Sequence, residues 1–286
     1  KKADTSTVYD SKGGRIEYYG RSVKDSNGKG YGKISLARGF ELSSNTILVQ
    51  SVYNSYKDNP KQFVDRINSY GLNKPLGLPI KGEGKPVIPQ PGTNRWSGVA
   101  LPWMAFGYGL SVTPLQTLTL YNAVANDGVM VKPIFVSEIK EWNKTIKKYN
   151  TEVINPKICS QETLDKVQAV LENVVKRGTG SKLYSKDFSM AGKTGTAQVN
   201  YKDKSKLYYA SSFVGYFPAD EPKYSCIIVV HKPNVAAGYY GADVAGPVFK
   251  RIAQKIFTDS PSTNHVKNID AKVVSQEKSY AEYYKK

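Results

Sequence analysis

The sequence is organised around residues Gly192–Gln198, which read GKTGTAQ. Lysine supplies a cation with three hydrogen-bond donors, threonine supplies a hydroxyl, and glycine leaves the backbone open to a ligand. In an extended strand, Lys193 and Gly195 point to one face, and Thr194 and Thr196 point to the other. The same residues also suit an edge strand that a lysine protects from pairing. The stretch therefore indicates a reaction site only if the surrounding chain supplies the matching motifs.

The composition predicts a globular protein with a strongly basic surface. Its 286 residues are 40% hydrophobic and 12% aromatic, which is enough for one large domain or two small ones. The formal net charge is +17, and the lysines are dispersed along the chain. No helix-turn-helix, zinc-finger or RNA-binding aromatic strand pattern accompanies them. We therefore interpret the charge as a solvated surface in a polyanionic compartment and expect no nucleic-acid partner.

Cysteine and histidine usage favours neither a disulfide framework nor a metal site. Cys159 and Cys226 are the only cysteines, and the sequence leaves open whether they form one bridge. With His231 and His265 they could supply four ligands, but the paired spacing typical of zinc sites is absent. We expect no metal and no cofactor.

The N-terminus favours a piece of a longer protein. The sequence contains no signal peptide and no apolar run long enough to span a membrane. It begins at Lys1 without an initiator methionine. We therefore expect a processed or excised portion of a larger chain.

Helical and strand patterns surround the central stretch in a regular order. A helical pattern begins at Ser35, is interrupted at Ser43–Asn45, and resumes to about Tyr56. Two strands, Lys206–Phe217 and Lys223–His231, follow the central stretch, and the short turn between them favours antiparallel pairing. The remaining predicted elements are a small hairpin before Lys33, a helix over Pro60–Tyr70, an irregular region over Gly71–Pro102, a helix from Thr113-Pro114, a peripheral hairpin within Val129–Tyr149, a helix from Ser160 to Arg177 and a helix from about Ala242 to Phe257.

The order of the motifs resembles the penicilloyl serine transferases, whose signature combines S-x-x-K, S-x-N and K-T-G. Ser43–Asn45 matches S-x-N and Lys193–Gly195 matches K-T-G. More narrowly, the chain resembles the transpeptidase domain of class B penicillin-binding proteins over about residues 4–257. We expect an incomplete domain at residues 1–258 and a polar tail or linker at 259–286. Further matching stretches are Gly107–Gly109, Val112–Gln116, Ala125–Gly128, Arg177–Gly180, Ser212–Ala219 and Ala245–Phe249.

The resemblance implies an α/β fold in which helices flank an antiparallel sheet and an all-helical subdomain lies across a cleft. It implies a serine that attacks the D-Ala-D-Ala bond of a peptidoglycan stem peptide and forms an acyl-enzyme, which a second stem's amine resolves. β-Lactams would acylate the same serine. A glycosyltransferase and other division or elongation proteins would be partners. The protein would lie on the extracytoplasmic (periplasmic) face of the inner membrane, and its only membrane contact would be through an N-terminal anchor absent from this chain.

The resemblance also implies roles for the matched residues. Ser43 and Lys193 would relay a proton to the leaving amine, and Asn45 would orient the substrate amide. The backbone N–H of Thr196 would supply half of an oxyanion hole. The substrate-binding residues carried over from the K-T-G motif and its extension are Thr194, Gly195 and Thr196.

One family motif has no suitable match in the sequence. The S-x-x-K motif carries the nucleophile and precedes S-x-N, with its serine and lysine one helical turn apart. Ser26–Lys29, Ser137–Lys140 and Ser275–Lys278 have this spacing, but the first lies in a glycine-containing loop and the others follow S-x-N. We expect the true motif upstream of Lys1, together with the first strands of the sheet. The chain alone would then be inactive.

Two alternatives stay open at the level of sequence. A D,D-carboxypeptidase or a β-lactamase shares the three motifs and differs in the acceptor that resolves the acyl-enzyme. A non-catalytic, basic envelope-binding or sensory module on the same fold would need no nucleophile. A Ser-His-Asp hydrolase is disfavoured, because neither His231 nor His265 lies in a recognisable triad context.

Overall fold

The computed structural model describes residues 3–200 and 206–259, which form a mixed α/β structure. The strands are β1 (Val8–Asp10), β2 (Arg15–Tyr18), β3 (Arg21–Lys24), β4 (Lys33–Ser35), β5 (Met130–Val131), β6 (Glu138–Glu141), β7 (Lys144–Lys148), β8 (Val153–Asn155), β9 (Ala191–Val199), β10 (Tyr208–Phe217) and β11 (Tyr224–His231). The helices are α1 (Leu36–Glu41), α2 (Asn45–Tyr56), α3 (Pro60–Ser69), α4 (Ala100–Met104), α5 (Pro114–Ala125), α6 (Gln161–Arg177), α7 (Gly241–Val244) and α8 (Gly246–Asp259). Short 3-10 turns lie at Lys12–Gly14 and Ser181–Leu183.

The central sheet has the strand order β11-β10-β9, and both pairings are antiparallel. The GKTGTAQ stretch lies within β9, where Thr194 is opposite Phe213 and Gly195 is opposite Ser212. The prediction of a strand here, followed by two antiparallel strands, is confirmed. Since β9 is an end strand, its residues lie at a border of the sheet where another element can approach.

Helices cover both faces of this sheet, as the α/β prediction required. Side chains alternate between faces along a strand, so Phe213 and Phe217 of β10 share one face and Tyr216 lies on the other. The rings of Phe213 and Phe217 lie 4.7 and 5.6 Å from that of Phe249 in α8. Tyr216 packs in a second core cluster with α5 and α6, which includes Ala123, Leu164 and Leu171. The two cores hold the sheet, and therefore β9, between two helical layers.

The helical part of the chain has its own small core. Val64 of α3 and Met104 of α4 are buried against Ile88, which lies in the irregular stretch between them. The sequence predicted an irregular region over Gly71–Pro102, but α4 begins at Ala100, inside that region. Proline is tolerated in the first turn of a helix, where the backbone N–H groups have no intrahelical partner.

The last predicted helix, from about Ala242 to Phe257, is wrong as a single element. The structure has α7 and α8 instead, separated at Ala245. Pro247 occupies the second position of α8, where it has no N–H group to donate to a carbonyl of α7, so the backbone hydrogen bonds of one helix cannot continue from α7 into α8. The proposed domain boundary at residue 258 stays a prediction, since residues 260–286 lie outside the described part of the chain.

Candidate active site

A cleft of about 610 Å³ lies between β9 and the junction of α1 with α2. Ser43 and Asn45 line it from the junction, and Thr194 and Thr196 line it from the strand. The structure thus brings the two predicted motifs together across one cavity, although 148 residues or more separate them in the sequence (193 less 45).

Ser43 occupies a tight turn that directs its hydroxyl towards β9. Its φ angle is +55°, in the left-handed region that serine adopts infrequently. Two backbone bonds close the turn, from Ser43 N to the carbonyl of Phe40 at 3.0 Å and from Ser44 N to that of Gly39 at 2.8 Å. Because α1 ends just before Ser43 and α2 begins just after it, helices hold the backbone on both sides, and the Ser43 side chain projects from a fixed position.

Lys193 reaches this hydroxyl from the opposite wall. Its Nζ donates to Ser43 Oγ at 2.9 Å and to its neighbour's carbonyl, Thr194 O, at 3.2 Å. It also lies 5.6 Å from the ring centroid of Phe40. Burial of the ammonium lowers the pKa of Lys193 to about 8 from the ordinary 10.5. A lysine with a pKa near neutrality can both donate and accept a proton in an enzyme's working range.

The threonines of β9 form a hydroxyl-lined wall. Thr194 Oγ1 lies 2.8 Å from Thr179 Oγ1, and Thr196 Oγ1 accepts from Gly241 N at 3.1 Å. Because Thr196 uses its oxygen as an acceptor, its own proton can be donated into the cleft. Gly195 serves the packing of the sheet, since a Cβ added there would lie 2.5 Å from Ser212 Oγ. The wall is suited to an anionic ligand.

Asn45 contacts the chain that precedes α1. Its side-chain nitrogen donates to the carbonyl of Lys24 at 2.8 Å. The side-chain amide is thereby held at the cleft wall, with its oxygen available to a ligand.

A buried carboxylate fixes the beginning of α2. Asp25 is 3% exposed and accepts from the hydroxyls of Ser44 and Thr46 at 2.9–3.1 Å. It also accepts from the backbone N–H of Thr46 at 2.9 Å. Ser44 in turn caps the helix by accepting from Ile47 N. Asp25 therefore acts as a positioning residue for the turn that carries Ser43.

Comparison with known proteins agrees with this arrangement of motifs. Residues 1–254 match the family described as the penicillin binding protein transpeptidase domain. The chain belongs to this family. It is 31% identical over 254 residues to penicillin-binding protein PbpB of Mycolicibacterium smegmatis, covering 84% of this chain and 38% of that protein. It is 31% identical over 191 residues to the peptidoglycan D,D-transpeptidase FtsI of Escherichia coli K12, covering 66% of this chain and 30% of that protein.

The fold of this transpeptidase domain has close counterparts among solved structures. Penicillin binding protein 3 of Mycobacterium tuberculosis in its apo form superposes with a TM-score of 0.76 at 27% identity. The alignment covers 90% of this chain and 58% of that one. The same protein complexed with ampicillin gives a TM-score of 0.75. These relatives place the chain among class B penicillin-binding proteins, and it spans about a third of the length of the curated relatives it matches.

Sequence reasoning missed an aromatic border of the cleft. The rings of Tyr209 and Tyr239 stack at 4.2 Å, and those of Tyr239 and Tyr240 at 4.5 Å. On the other side, Tyr108 Oη accepts from the backbone N–H of Gln198 at 3.0 Å. The tyrosine-rich composition was the available signal, but it does not indicate which of 21 tyrosines meet at one site.

Neither of the two S-x-x-K candidates in the described part of the chain forms a serine–lysine pair on a helix. Ser26 lines the cleft, but Ser26–Lys29 forms a turn closed by Gly28 N and the carbonyl of Asp25 at 3.1 Å. Ser137–Lys140 belongs to the start of the β6–β7 hairpin, and Ser275–Lys278 lies outside the described residues. The expectation of a nucleophile elsewhere stays a prediction.

The described residues also bear on the sequence-based expectations for cysteines, metal ligands and membrane-spanning segments. Cys159 and Cys226 are free thiols, and burial raises the pKa of each. Within residues 3–200 and 206–259, no three or more His, Cys, Asp or Glu side chains group as metal ligands. No helix in the same ranges has the length and apolar character needed to cross a bilayer.

The lowered pKa of Lys193 predicts a pH-dependent stability. The folded state holds this proton less tightly than the unfolded state, so stability rises as pH increases from about 8 to 10.5. Methionine cannot titrate. The difference in free energy of unfolding between the native protein and Lys193→Met should therefore change in favour of the native protein as the pH rises across this window. The total change should be up to roughly 3 kcal/mol. Denaturant titrations at several pH values measure the difference, and a constant difference would contradict the lowered pKa.

Proposed function

We propose that this chain is part of a peptidoglycan D,D-transpeptidase that cross-links stem peptides through a serine acyl-enzyme. The observation that carries the proposal is the contact of Lys193 Nζ with Ser43 Oγ beside the hydroxyls of Thr194 and Thr196. A lysine whose pKa lies near neutral pH can pass a proton across the cleft through a neighbouring serine. The threonine hydroxyls can hold a terminal carboxylate. Proton transfer and carboxylate binding are two of the requirements for cleaving a peptide bond that ends in D-alanine; the third is a nucleophile.

The reaction consists of two acyl transfers. The nucleophilic serine forms an ester with the penultimate D-alanine while the peptide bond to the last D-alanine breaks. The serine's proton passes to its lysine base, and Ser43 with Lys193 delivers a proton to the departing amine. Asn45 holds the substrate amide, and the Thr196 N–H supports the oxyanion. The amine of a second stem then attacks the ester and frees the serine.

The nucleophile is proposed to come from an S-x-x-K motif outside residues 1–286. Two observations support this. First, none of the serine–lysine pairs with this spacing lies on a helix in the described part of the chain. Second, β11 has a partner on one side only among the described strands, and its other edge presents the apolar run Cys226–Val230. Such an edge is a template for further strands, which the segment that carries the proposed S-x-x-K motif would supply.

The wider setting follows from the same proposal. β-Lactams would acylate the nucleophilic serine, and a glycosyltransferase with other division or elongation proteins would supply and direct the glycan strands. The protein would act at the extracytoplasmic face of the membrane.

Fluorescent penicillin tests the proposal directly. We expect the full-length protein to be labelled at an S-x-x-K serine outside this chain, and the 286-residue chain alone to remain unlabelled. Peptide mapping identifies the modified serine, and prior incubation with unlabelled penicillin controls for specificity. Labelling at Ser26 would contradict the assignment of the nucleophile, and an unlabelled full-length protein would favour a non-catalytic module. With a pentapeptide donor, incorporation of a D-amino acid acceptor distinguishes a transpeptidase from a carboxypeptidase, which releases only D-alanine.

A further inference from the structure

The β6–β7 hairpin exposes an unusual number of apolar side chains. Trp142 lies at its tip and is 96% exposed, and Ile146 in β7 is 55% exposed. At its base, Phe135 is 56% exposed, between the exposed Ile134 and Val136. Exposed apolar side chains concentrated on one protruding element indicate a site of contact with another molecule or with a membrane.

The turn displays Trp142 at a conformational cost. Trp142 and Asn143 have φ angles of +47° and +65°, the values of the two-residue turn that suits a tight hairpin. Asparagine and glycine adopt these angles readily, whereas a bulky side chain seldom does. A tryptophan here costs the hairpin stability and gains no burial within the described protein.

Lysines surround the same tip. Lys140 pairs with Glu138 at 2.7 Å, and Lys147 lies 4.7 Å above the ring of Tyr149. Lys144 and Lys148 are exposed and form no ion pair with any residue in the described ranges. Over residues 137–149 the four lysines exceed two glutamates, Glu138 and Glu141, for a net charge of +2. The hairpin as a whole therefore combines exposed apolar side chains with uncompensated positive charge.

The hairpin is firmly attached and separate from the cleft. Its base continues into β5 and β8, and Met130 of β5 is buried in the core beside α5 and α6. The side chain of Asn155 in β8 donates to the carbonyl of Ser69 in α3 at 2.9 Å. No hairpin residue lines the cleft. The transpeptidase site therefore does not account for the apolar tip.

Protection of an exposed hairpin explains only part of this pattern. Lysines on edge strands prevent strands of different molecules from pairing. Such protection would be served best by polar residues at Trp142 and Ile146, because exposed apolar side chains promote the association that lysines oppose.

We propose that the β6–β7 hairpin docks on the surface of an anionic lipid bilayer. Tryptophan is favoured at the membrane–water interface, where its ring enters the headgroup region while neighbouring lysines contact anionic lipid. Charge complementarity selects the bilayer, since each lysine near an anionic membrane adds to binding. This contact goes beyond the sequence-based expectation of membrane contact only through an N-terminal anchor, and it orients the domain relative to the membrane.

Co-sedimentation of the 286-residue chain with vesicles tests the proposal. Vesicles of phosphatidylcholine and phosphatidylglycerol in equal parts should bind the chain, and its tryptophan fluorescence should shift to shorter wavelength in the native chain but not in Trp142→Ala, which retains the other two tryptophans. Trp142→Ala should weaken binding about tenfold. The pair Lys144→Glu with Lys148→Glu should weaken it by on the order of 10²-fold.

Matched variants separate this contact from the general attraction of a protein with net charge +17. Lys81→Glu with Lys85→Glu changes two exposed lysines by the same charge, and Tyr184→Ala removes another exposed aromatic ring. These controls should bind within about threefold of the native chain. Equal losses in hairpin and control variants of unchanged melting temperature would overturn the proposal. Retention on immobilised polyglutamate without vesicle binding would also overturn it and indicate an acidic protein partner.

Discussion

Replacing Lys193 by methionine in the full-length protein is expected to slow acylation by a β-lactam about 10²–10⁴-fold. The Nζ of Lys193 lies 2.9 Å from Ser43 Oγ, and burial lowers its pKa to about 8. The substitution removes this proton carrier and keeps an unbranched side chain of similar length in the partly buried site. The second-order rate constant of acylation, followed with a fluorescent penicillin, measures the effect.

Two further variants locate the cause of the loss. Lys193→Arg retains the positive charge but cannot release a proton, so it should be impaired as well. Lys232→Met removes a lysine that lies over the Tyr208 ring beyond β11, and acylation should remain unchanged. A native rate in Lys193→Met would remove this lysine from the reaction. Loss in Lys193→Met with retention in Lys193→Arg would assign it a purely electrostatic role.

Local patterns predicted most of the fold because they depend on neighbouring residues. Thr113 and Pro114 fix the start of α5, and the structure adds the reciprocal bond from Thr113 N to Gln116 Oε1 that completes a capping box. Ser43–Asn45 was predicted to interrupt a helical pattern, and it separates α1 from α2. The prediction failed where two local signals conflicted: the apolar periodicity from Ala242 to Phe257 continues through Pro247, whose missing N–H interrupts the helical hydrogen bonds, so that one helix ends before Ala245 and another begins at Gly246.

The contacts between distant segments could not be predicted in this way. Ser43 and Lys193 were paired through the family resemblance, and nothing in their local sequence specifies a 2.9 Å contact. Asp25 illustrates the limit, because its flanking residues indicate only a turn. Its role depends on burial against Ser44 and Thr46, some twenty residues later in the chain. Such buried polar networks become visible only when the tertiary structure is known.

Glu41 joins the two walls of the cleft. It is 0% exposed, and its carboxylate accepts from Arg38 at 2.8 Å and from Arg177 at 2.9 Å. Its carbonyl accepts from Thr179 N at 3.0 Å, and Thr179 Oγ1 contacts Thr194 of β9. A Cβ at Gly178 would lie 2.3 Å from this carbonyl, so the chain that follows α6 passes directly against α1. One residue thus links α1 and its S-x-N turn to α6 and the K-T-G strand.

Glu41→Ala is therefore expected to lower the free energy of unfolding by about 3 kcal/mol, because it leaves two arginines without their buried partner. The value lies at the lower end for buried ion pairs, since the Arg177 side chain is 61% exposed and can be hydrated after the change. Urea unfolding of the 286-residue chain measures the loss. Glu17→Ala is the matched control: its carboxylate is 58% exposed and pairs with Arg15, so its removal should change stability by less than about 1 kcal/mol. Similar losses in both variants would show that the Glu41 pairs are no stronger than a surface ion pair, and that the two walls of the cleft are held mainly by their apolar cores.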